Sequence, residues 1–359
     1  MNFASDNWAG ATEPVMRALA EAAPGLEPAY GGDSLTADVT RMFCDIFERD
    51  VAVYFAATGS AANSLGLSAY MKPSGLILCH RDSHINADEC GAPEFLTGGG
   101  KLIALEGQRT KLDPEPVAAG LAQFGPANMR GGRAVAVSIT QLTESGAAYT
   151  ASEIAAIGAV ARAAGVALHM DGARFANALV TLGATPAELT WKSGVDVLSF
   201  GATKNGCWCA EAVVFFNPEI ARDFDFRRAC SGHRFSKARF VAAQFAGYFS
   251  NDHWLDNARR ANGSALRLVH GLVASQKADP AWTVDGNEVF AIMRRSDADR
   301  LKAGGAMFYE WPAGADSLCR PLGNDEAVYR LVTNFDTSEA DVDRFLDILN
   351  ASDRSTTRR

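Results

Sequence analysis

Residues 166–206 read VALHMDGARFANALVTLGATPAELTWKSGVDVLSFGATKNG. Two short apolar runs, 166–170 (VALHM) and 195–200 (VDVLSF), flank a helical pattern over 173–182. Continuous apolar runs bounded by turn residues predict strands buried on both faces. A helix between two of them predicts a crossover joining parallel neighbours. The same alternation extends outward. Further strands are expected at 51–56 (VAVYFA), 76–79, 102–105, 133–139 (RAVAVSI) and 212–216 (AVVFF), with helices over 60–71, 115–124 and 152–164. The pattern predicts an α/β domain built on a largely parallel sheet. From 218 to about 275 it is helical and charge-laced. Strands then follow at 289–294, 306–309 and 328–332, with helices at 297–302 and 338–349. The expected organisation is an N-terminal arm plus large domain over 1–250, a smaller α+β domain over 251–351 that opens with a long helix near 251–274, and a mobile polar tail over 352–359.

The 359 residues carry 34 Lys+Arg against 42 Asp+Glu, a net charge of −8, which disfavours nucleic acid and anionic membrane surfaces as partners. Hydrophobic residues make up 48% and charged residues 21%, proportions that exclude wholesale disorder. No uninterrupted apolar stretch approaches the roughly 18 residues a membrane-spanning helix needs. Asp6, Glu13 and Pro14 stand where a signal peptide would be apolar. The seven cysteines show no framework spacing, and Cys207 and Cys209 form C-x-C. Reduced thiols and a cytoplasmic location are the expectation.

Three turns at predicted strand ends carry chemistry. Strand 166–170 delivers Asp171 to its carboxyl end, the edge where open α/β sheets bind ligands, with Gly172 and Arg174 following. An aspartate there also serves as a helix N-cap. Strand 195–200 ends in the small-residue turn that carries Lys204, 33 positions after Asp171. A lysine so placed is a candidate Schiff-base former, and its alternative is an ordinary surface lysine. After strand 51–56, ATGSAAN (57–63) places Gly59, Ser60 and Ala61 at a helix start, where N–H groups and the helix dipole favour phosphate. It is neither G-x-G-x-x-G nor a Walker loop. A phosphate cradle, an acid for a ring nitrogen and a lysine for an aldehyde together match what pyridoxal 5'-phosphate requires. His80 and His84 form H-x-x-x-H without a helical pattern, so no metal is expected there. His169, His233, His253 and His270 have structural readings.

With these motifs assembled, the sequence resembles the pyridoxal-phosphate-dependent aldolases of β-hydroxy amino acids. It is similar to the low-specificity L-threonine aldolases, including the bacterial branch with phenylserine aldolase. The matching segments are FASDN (3–7), AYGGD (29–33), ATGSAAN, SHINADECGAPE (83–94), ITQLTESG (139–146), LHMDGARF (168–175), the run 185–206 and YRLVTNFDT (329–337). The resemblance implies the fold type I, aspartate aminotransferase-like architecture, with a large mostly parallel-sheet domain and a smaller C-terminal α+β domain. It also implies a homotetramer with active sites at dimer interfaces. It places the cofactor aldehyde on Lys204, the ring nitrogen on Asp171 and the phosphate on Gly59, Ser60 and Ala61. Arg234 is implied to reach a phosphate across the interface. Ser5, Arg174 and Arg330 match positions that meet the substrate carboxylate or the cofactor's ring oxygen, a task suited to the planar guanidinium fork.

His84 matches a histidine that stacks on the cofactor ring and approaches the substrate's β-hydroxyl. Family members often carry a second histidine after the central strand. Here Gln141-Leu142-Thr143-Glu144 occupies that segment, and Asn334 replaces another family histidine near the C-terminus. The base that takes the β-hydroxyl proton is therefore His84 or Glu144 at this level. The implied reaction is cleavage of threonine, allo-threonine or phenylserine to glycine and an aldehyde. The rivals are another enzyme of the same cofactor class (a β-eliminating lyase, racemase or aminotransferase) and a cofactor-binding protein without turnover. Trp208, beside the lysine, suggests a roomier aromatic pocket.

Overall fold

A computed structural model describes residues 1–126, 129–312 and 318–351. The chain divides into two compact units, Gly10–Asp256 and Met1–Ala9 with Asn257–Arg359. The expected tail 352–359 lies outside the described residues.

The larger unit is built on seven strands: β1 (Ala52–Ala56), β2 (Gly75–His80), β3 (Lys101–Leu105), β4 (Arg133–Thr140), β5 (Ala167–Gly172), β6 (Val197–Gly201) and β7 (Glu211–Phe215). Their order is β1-β7-β6-β5-β4-β2-β3, and only β7 runs antiparallel to its neighbours. All residues of β2, β5, β6 and β7 are buried, which explains why these strands read as continuous apolar runs rather than alternating ones.

Helix Gly59–Ser68 begins at Thr58, whose hydroxyl caps the Ala61 N–H. Small residues let this helix lie deep, with every position from Ala61 to Ser68 buried. Gly66 is one close approach: an added Cβ there would sit 3.4 Å from both Val197 and Val213 and 3.8 Å from His169. Helix Ala151–Ala163 opens with a reciprocal capping box between Thr150 and Glu153. Helices Glu13–Ala22 and Ser34–Ile46 are additions to the sequence reading.

The end of β6 is fixed from below. Phe200 lies 5.3 Å from Phe43, 5.8 Å from Trp254 and 6.1 Å from Phe245, ring centre to ring centre. One residue on, a Cβ at Gly201 would stand 2.7 Å from the Ala173 Cα and 2.8 Å from its carbonyl oxygen. Those backbone atoms cannot rotate aside. Gly201→Ala is therefore expected to cost about 1–3 kcal/mol of stability, read as a lower denaturant midpoint. An unchanged midpoint would show that the turn yields freely.

The smaller unit carries an antiparallel sheet of β8 (Ala278–Pro280), β9 (Glu288–Arg294), β10 (Tyr309–Glu310) and β11 (Glu326–Val332), ordered β10-β11-β9-β8. β8 is absent from the sequence reading, and the strand expected over 306–309 is confined to β10. The first nine residues belong here rather than with the large domain. Phe3 is fully buried in this unit's core, 5.2 Å from Phe345, and its backbone bonds Met307 and Val332. The division at the other end falls inside helix His253–Ser275, after Asp256 rather than at residue 250. Among the described residues no helix is long and apolar enough to cross a membrane.

Candidate functional site

Parallel pairing of β5 with β6 places Asp171 opposite Ser199, so Asp171 and the turn that follows Gly201 emerge at one sheet edge. Asp171 is buried. It is not the N-cap of the next helix, because Arg174 takes that position and the helix spans Phe175–Leu182. Its Oδ1 accepts the Ala173 N–H at 3.0 Å, and its Oδ2 accepts from Asn63 Nδ2 at 2.7 Å. Its backbone carbonyl accepts the Gln141 N–H at 2.7 Å, tying the segment after β4 to the same edge.

Lys204 occupies the one-turn helix Thr203–Asn205 and is half-buried. Both neighbours are held in place. Thr203 donates its N–H to Glu211 at 3.4 Å, and its hydroxyl accepts from Ala210 at 3.2 Å. Asn205 donates to the Tyr248 hydroxyl at 2.7 Å and the Trp254 carbonyl at 2.8 Å. Trp208 is 65% exposed, on a loop whose N–H groups at Trp208 and Cys209 both donate to buried Gln244.

His84 opens the short helix His84–Ala87. Its Nδ1 lies 2.8 Å from Oε1 of Glu89, whose side chain is wholly buried. That hydrogen bond raises the imidazole pKa, burial and the charge of Lys204 oppose it, and Asp171 supports it. Glu89→Gln is accordingly expected to lower the His84 titration midpoint in an NMR experiment; an unchanged midpoint would contradict the pairing. The wild-type pair stabilises the fold fully below the ordinary imidazole pKa of about 6.5, and this contribution is lost as pH rises through the raised folded value.

Glu144 accepts two hydrogen bonds on Oε1, from the His84 backbone N–H at 2.6 Å and the Thr140 hydroxyl at 3.0 Å. Its Oε2 is buried without a hydrogen-bond partner, and burial pushes the carboxyl up to about 7. Glu211 is likewise pushed up to about 7 by burial, against the lowering effects of Thr203 and of Lys204's charge. His169, on the same face of β5 as Asp171, sits 2.8 Å from Ser138 Oγ and 3.0 Å from Ser199 Oγ. Burial pushes it down to about 4, so the ring is neutral.

At the helix start, Ala61's N–H is already taken by Thr58 at 3.1 Å. The expected phosphate cradle narrows to the first-turn N–H groups of Gly59 and Ser60, which helix geometry leaves without intrahelical acceptors. A Cβ at Gly59 would meet nothing within 4 Å, so the helix start is open on that side. The residues present fit pyridoxal phosphate on this ground: an open anion-binding helix start, a lysine at a pinned turn and a buried carboxylate on the same sheet edge. One donor atom from each of His84, Glu89 and Asp171 lies within 4.8 Å of the others. Asn63 points N–H donors into that trio, where a cation would need lone pairs.

The other sequence candidates are distributed more widely. Arg174 is half-buried beside Asp171 in the chain, and its N–H donates to the Gln141 carbonyl at 3.3 Å. Arg234 is exposed, its guanidinium 4.8 Å from the centre of the exposed Tyr30 ring. In the smaller unit, Ser5 accepts the Asn7 N–H. Arg330 there lies 4.7 Å over the Trp311 ring and 3.9 Å from buried Glu288. His80 bonds the Gly107 carbonyl at 3.1 Å and the Asp82 N–H at 3.0 Å, which gives it a structural role. Asn63, Glu89 and Glu211 were missed by sequence reasoning, although Asn63 and Glu89 lie inside segments already singled out.

A family model described as beta-eliminating lyase matches residues 2–296. A low specificity L-threonine aldolase from Pseudomonas aeruginosa is 41% identical over 320 residues, covering 88% of this chain and 92% of that protein. The chain belongs to the low-specificity L-threonine aldolase family. Among solved structures, a threonine aldolase from Leishmania major is similar at a TM-score of 0.88 and 25% identity, covering 97% of this chain and 98% of that one. A structure of SPT with its PLP internal aldimine, 18% identical, superposes at a TM-score of 0.69 over 98% of this chain and 86% of that one. The architecture this aldolase-family chain shares with them is the fold type I arrangement of pyridoxal-phosphate enzymes.

Proposed function

We propose that the chain cleaves L-β-hydroxy-α-amino acids, among them threonine, allo-threonine and phenylserine, to glycine and an aldehyde with pyridoxal phosphate. The observation that carries this reading is that buried Asp171 and the turn bearing Lys204 emerge from neighbouring parallel strands at one sheet edge, with Asp171 close to an imidazole held by a buried carboxylate. When bound, the cofactor supplies an electron sink conjugated to the substrate's Cα.

The chain's own residues supply the rest. Lys204 Nζ would hold the cofactor aldehyde, Gly59 and Ser60 its phosphate, and Asp171 the proton at its ring nitrogen. His84 has Nδ1 committed to Glu89, which leaves Nε2 to accept the β-hydroxyl proton. Support for His84 over Glu144 in this task is that its Nε2 is uncommitted on a partly exposed ring, whereas Glu144 Oε1 already accepts the His84 N–H and the Thr140 hydroxyl and its remaining Oε2 is buried. Glu144 then serves by fixing the His84 backbone. Arg174, with Ser5 and Arg330 on the resemblance alone, is assigned to the substrate carboxylate.

A homotetramer and a cytoplasmic location belong to the same reading. Leu26, Phe95 and Phe226 are exposed in the larger unit, as surfaces between subunits would be, and Arg234 is assigned to a neighbouring subunit's phosphate. The test is product analysis with both enantiomers of threonine, allo-threonine and phenylserine. Glycine in equal amount to aldehyde is expected from the L series. Keto acid or ammonia would instead indicate a transaminase or an eliminating lyase.

A further inference from the structure

One nitrogen joins the two ends of the site. Asn63 is the fifth residue of helix Gly59–Ser68 and is buried. Its Nδ2 donates to Asp171 Oδ2 at 2.7 Å and to Glu89 Oε1 at 2.9 Å. Glu89 Oε1 is the same atom that faces His84 Nδ1 at 2.8 Å. Both carboxylates are buried, and Glu89 Oε2 and Asn63 Oδ1 have no hydrogen-bond partner. Ionised carboxylates only accept, so the amide must turn its NH2 end towards them; its carbonyl there would meet two like charges.

We infer that Asn63 is a positioning residue that gives Asp171 and Glu89 separate donors and keeps them separately committed, one to the cofactor ring and the other to His84. The inference rests on the proposed cofactor site. Two buried carboxylates this close, with no donor between them, lower their repulsion by sharing a proton. A shared proton would neutralise the pair on which the ring nitrogen and the imidazole both depend. The two hydrogens of one amide group prevent this by giving each acid its own donor. Neither group that Asn63 touches is a reacting group of the substrate, so its effect is exerted through Asp171 and through Glu89 to His84.

The relation makes an uncommon prediction, since removing a second group should repair the first loss. In Asn63→Leu, cofactor affinity, measured by equilibrium dialysis of pyridoxal phosphate against the full chain, is expected to weaken at least tenfold. Asn63→Asp, which preserves shape and replaces donors with acceptors, should weaken it similarly and guards against a packing artefact. Glu89→Gln alone should leave affinity within about threefold of wild type, because Asp171 retains its donor. The double variant Asn63→Leu/Glu89→Gln should recover most of the affinity: one charge is gone, and the new amide supplies a donor to Asp171. Its glycine production should stay low, because His84 has lost its carboxylate.

Equal affinity in wild type and Asn63→Leu would overturn the inference. So would a double variant as weak as the single, which is what a purely structural asparagine gives. A wild-type chain that binds no pyridoxal phosphate would instead reject the cofactor reading beneath it. Circular dichroism of each variant establishes that the comparison is between folded chains.

Discussion

Lys204→Ala is expected to yield a folded chain that has lost the covalent cofactor absorption band and whose glycine production has fallen by roughly a thousandfold or more. The direction follows from placement. Lys204 is the only residue of its turn with an amine, and Thr203 and Asn205 on either side are held by Glu211, Tyr248 and Trp254. These bonds do not use the lysine side chain, so truncation leaves the turn standing. The amine's loss removes the nucleophile for the aldehyde and the group that releases product. Borohydride should fix the cofactor to wild type and not to the variant. Retained borohydride-stable label in Lys204→Ala would move the attachment point elsewhere and end the assignment.

That variant also bears on Glu211. Burial raises this carboxyl to about 7, and the lysine's charge opposes the rise. With the ammonium removed, the Glu211 titration should move upward. This readout in the cofactor-free chain does not depend on turnover.

The parts of the site legible in the sequence share one property. Asp171 lies at the carboxyl end of a buried strand and Lys204 in the turn that follows another, so the strand pattern alone delivers them to one edge, and the crossover between them makes those strands neighbours. His84 and Glu144 came only through family resemblance, because a histidine and a glutamate in loops carry no periodic signal. Asn63 lies 108 positions from Asp171 and 26 from Glu89, and no local pattern announces such contacts. A buried asparagine in a helix of small residues was the available signal. Phe3 escaped for the same reason. Its core lies in strands and a helix near the other end of the chain, so a nine-residue segment read as an arm of the large domain belongs to the smaller unit. Glu211 lies one position before the apolar run expected over 212–216, and its burial appears only once β7 is seen between β1 and β6, with Glu211 opposite Ala56 and Gly201.

Asp171→Asn is the most informative substitution after the lysine, with an expected fall in kcat of roughly a hundred- to a thousandfold. The side chain keeps its size, and one of its two bonds survives, since an amide oxygen can still accept the Ala173 N–H that Oδ1 accepts now. The other reverses sense. The atom facing Asn63 becomes an NH2 group opposed to an NH2 donor that now sits 2.7 Å from Oδ2. A flip of either amide moves the conflict to Ala173 or to Glu89 without removing it. More costly is the lost charge: breaking a buried ion pair by removing one partner costs about 3–5 kcal/mol, and each factor of ten takes about 1.4 kcal/mol. A neutral amide cannot hold the ring-nitrogen proton that makes the cofactor an electron sink, so the loss should appear mainly in kcat, with a smaller change in KM. Double variants test whether the acid acts within the network. Asp171→Asn combined with Asn63→Asp should recover neither binding of the cofactor nor kcat: the carboxylate at position 63 meets the new amide at 171 but faces Glu89 with no donor between them, and the charge sits on the wrong residue. Equal recovery of both would place the ring-nitrogen partner at position 63 and displace Asp171 from the role.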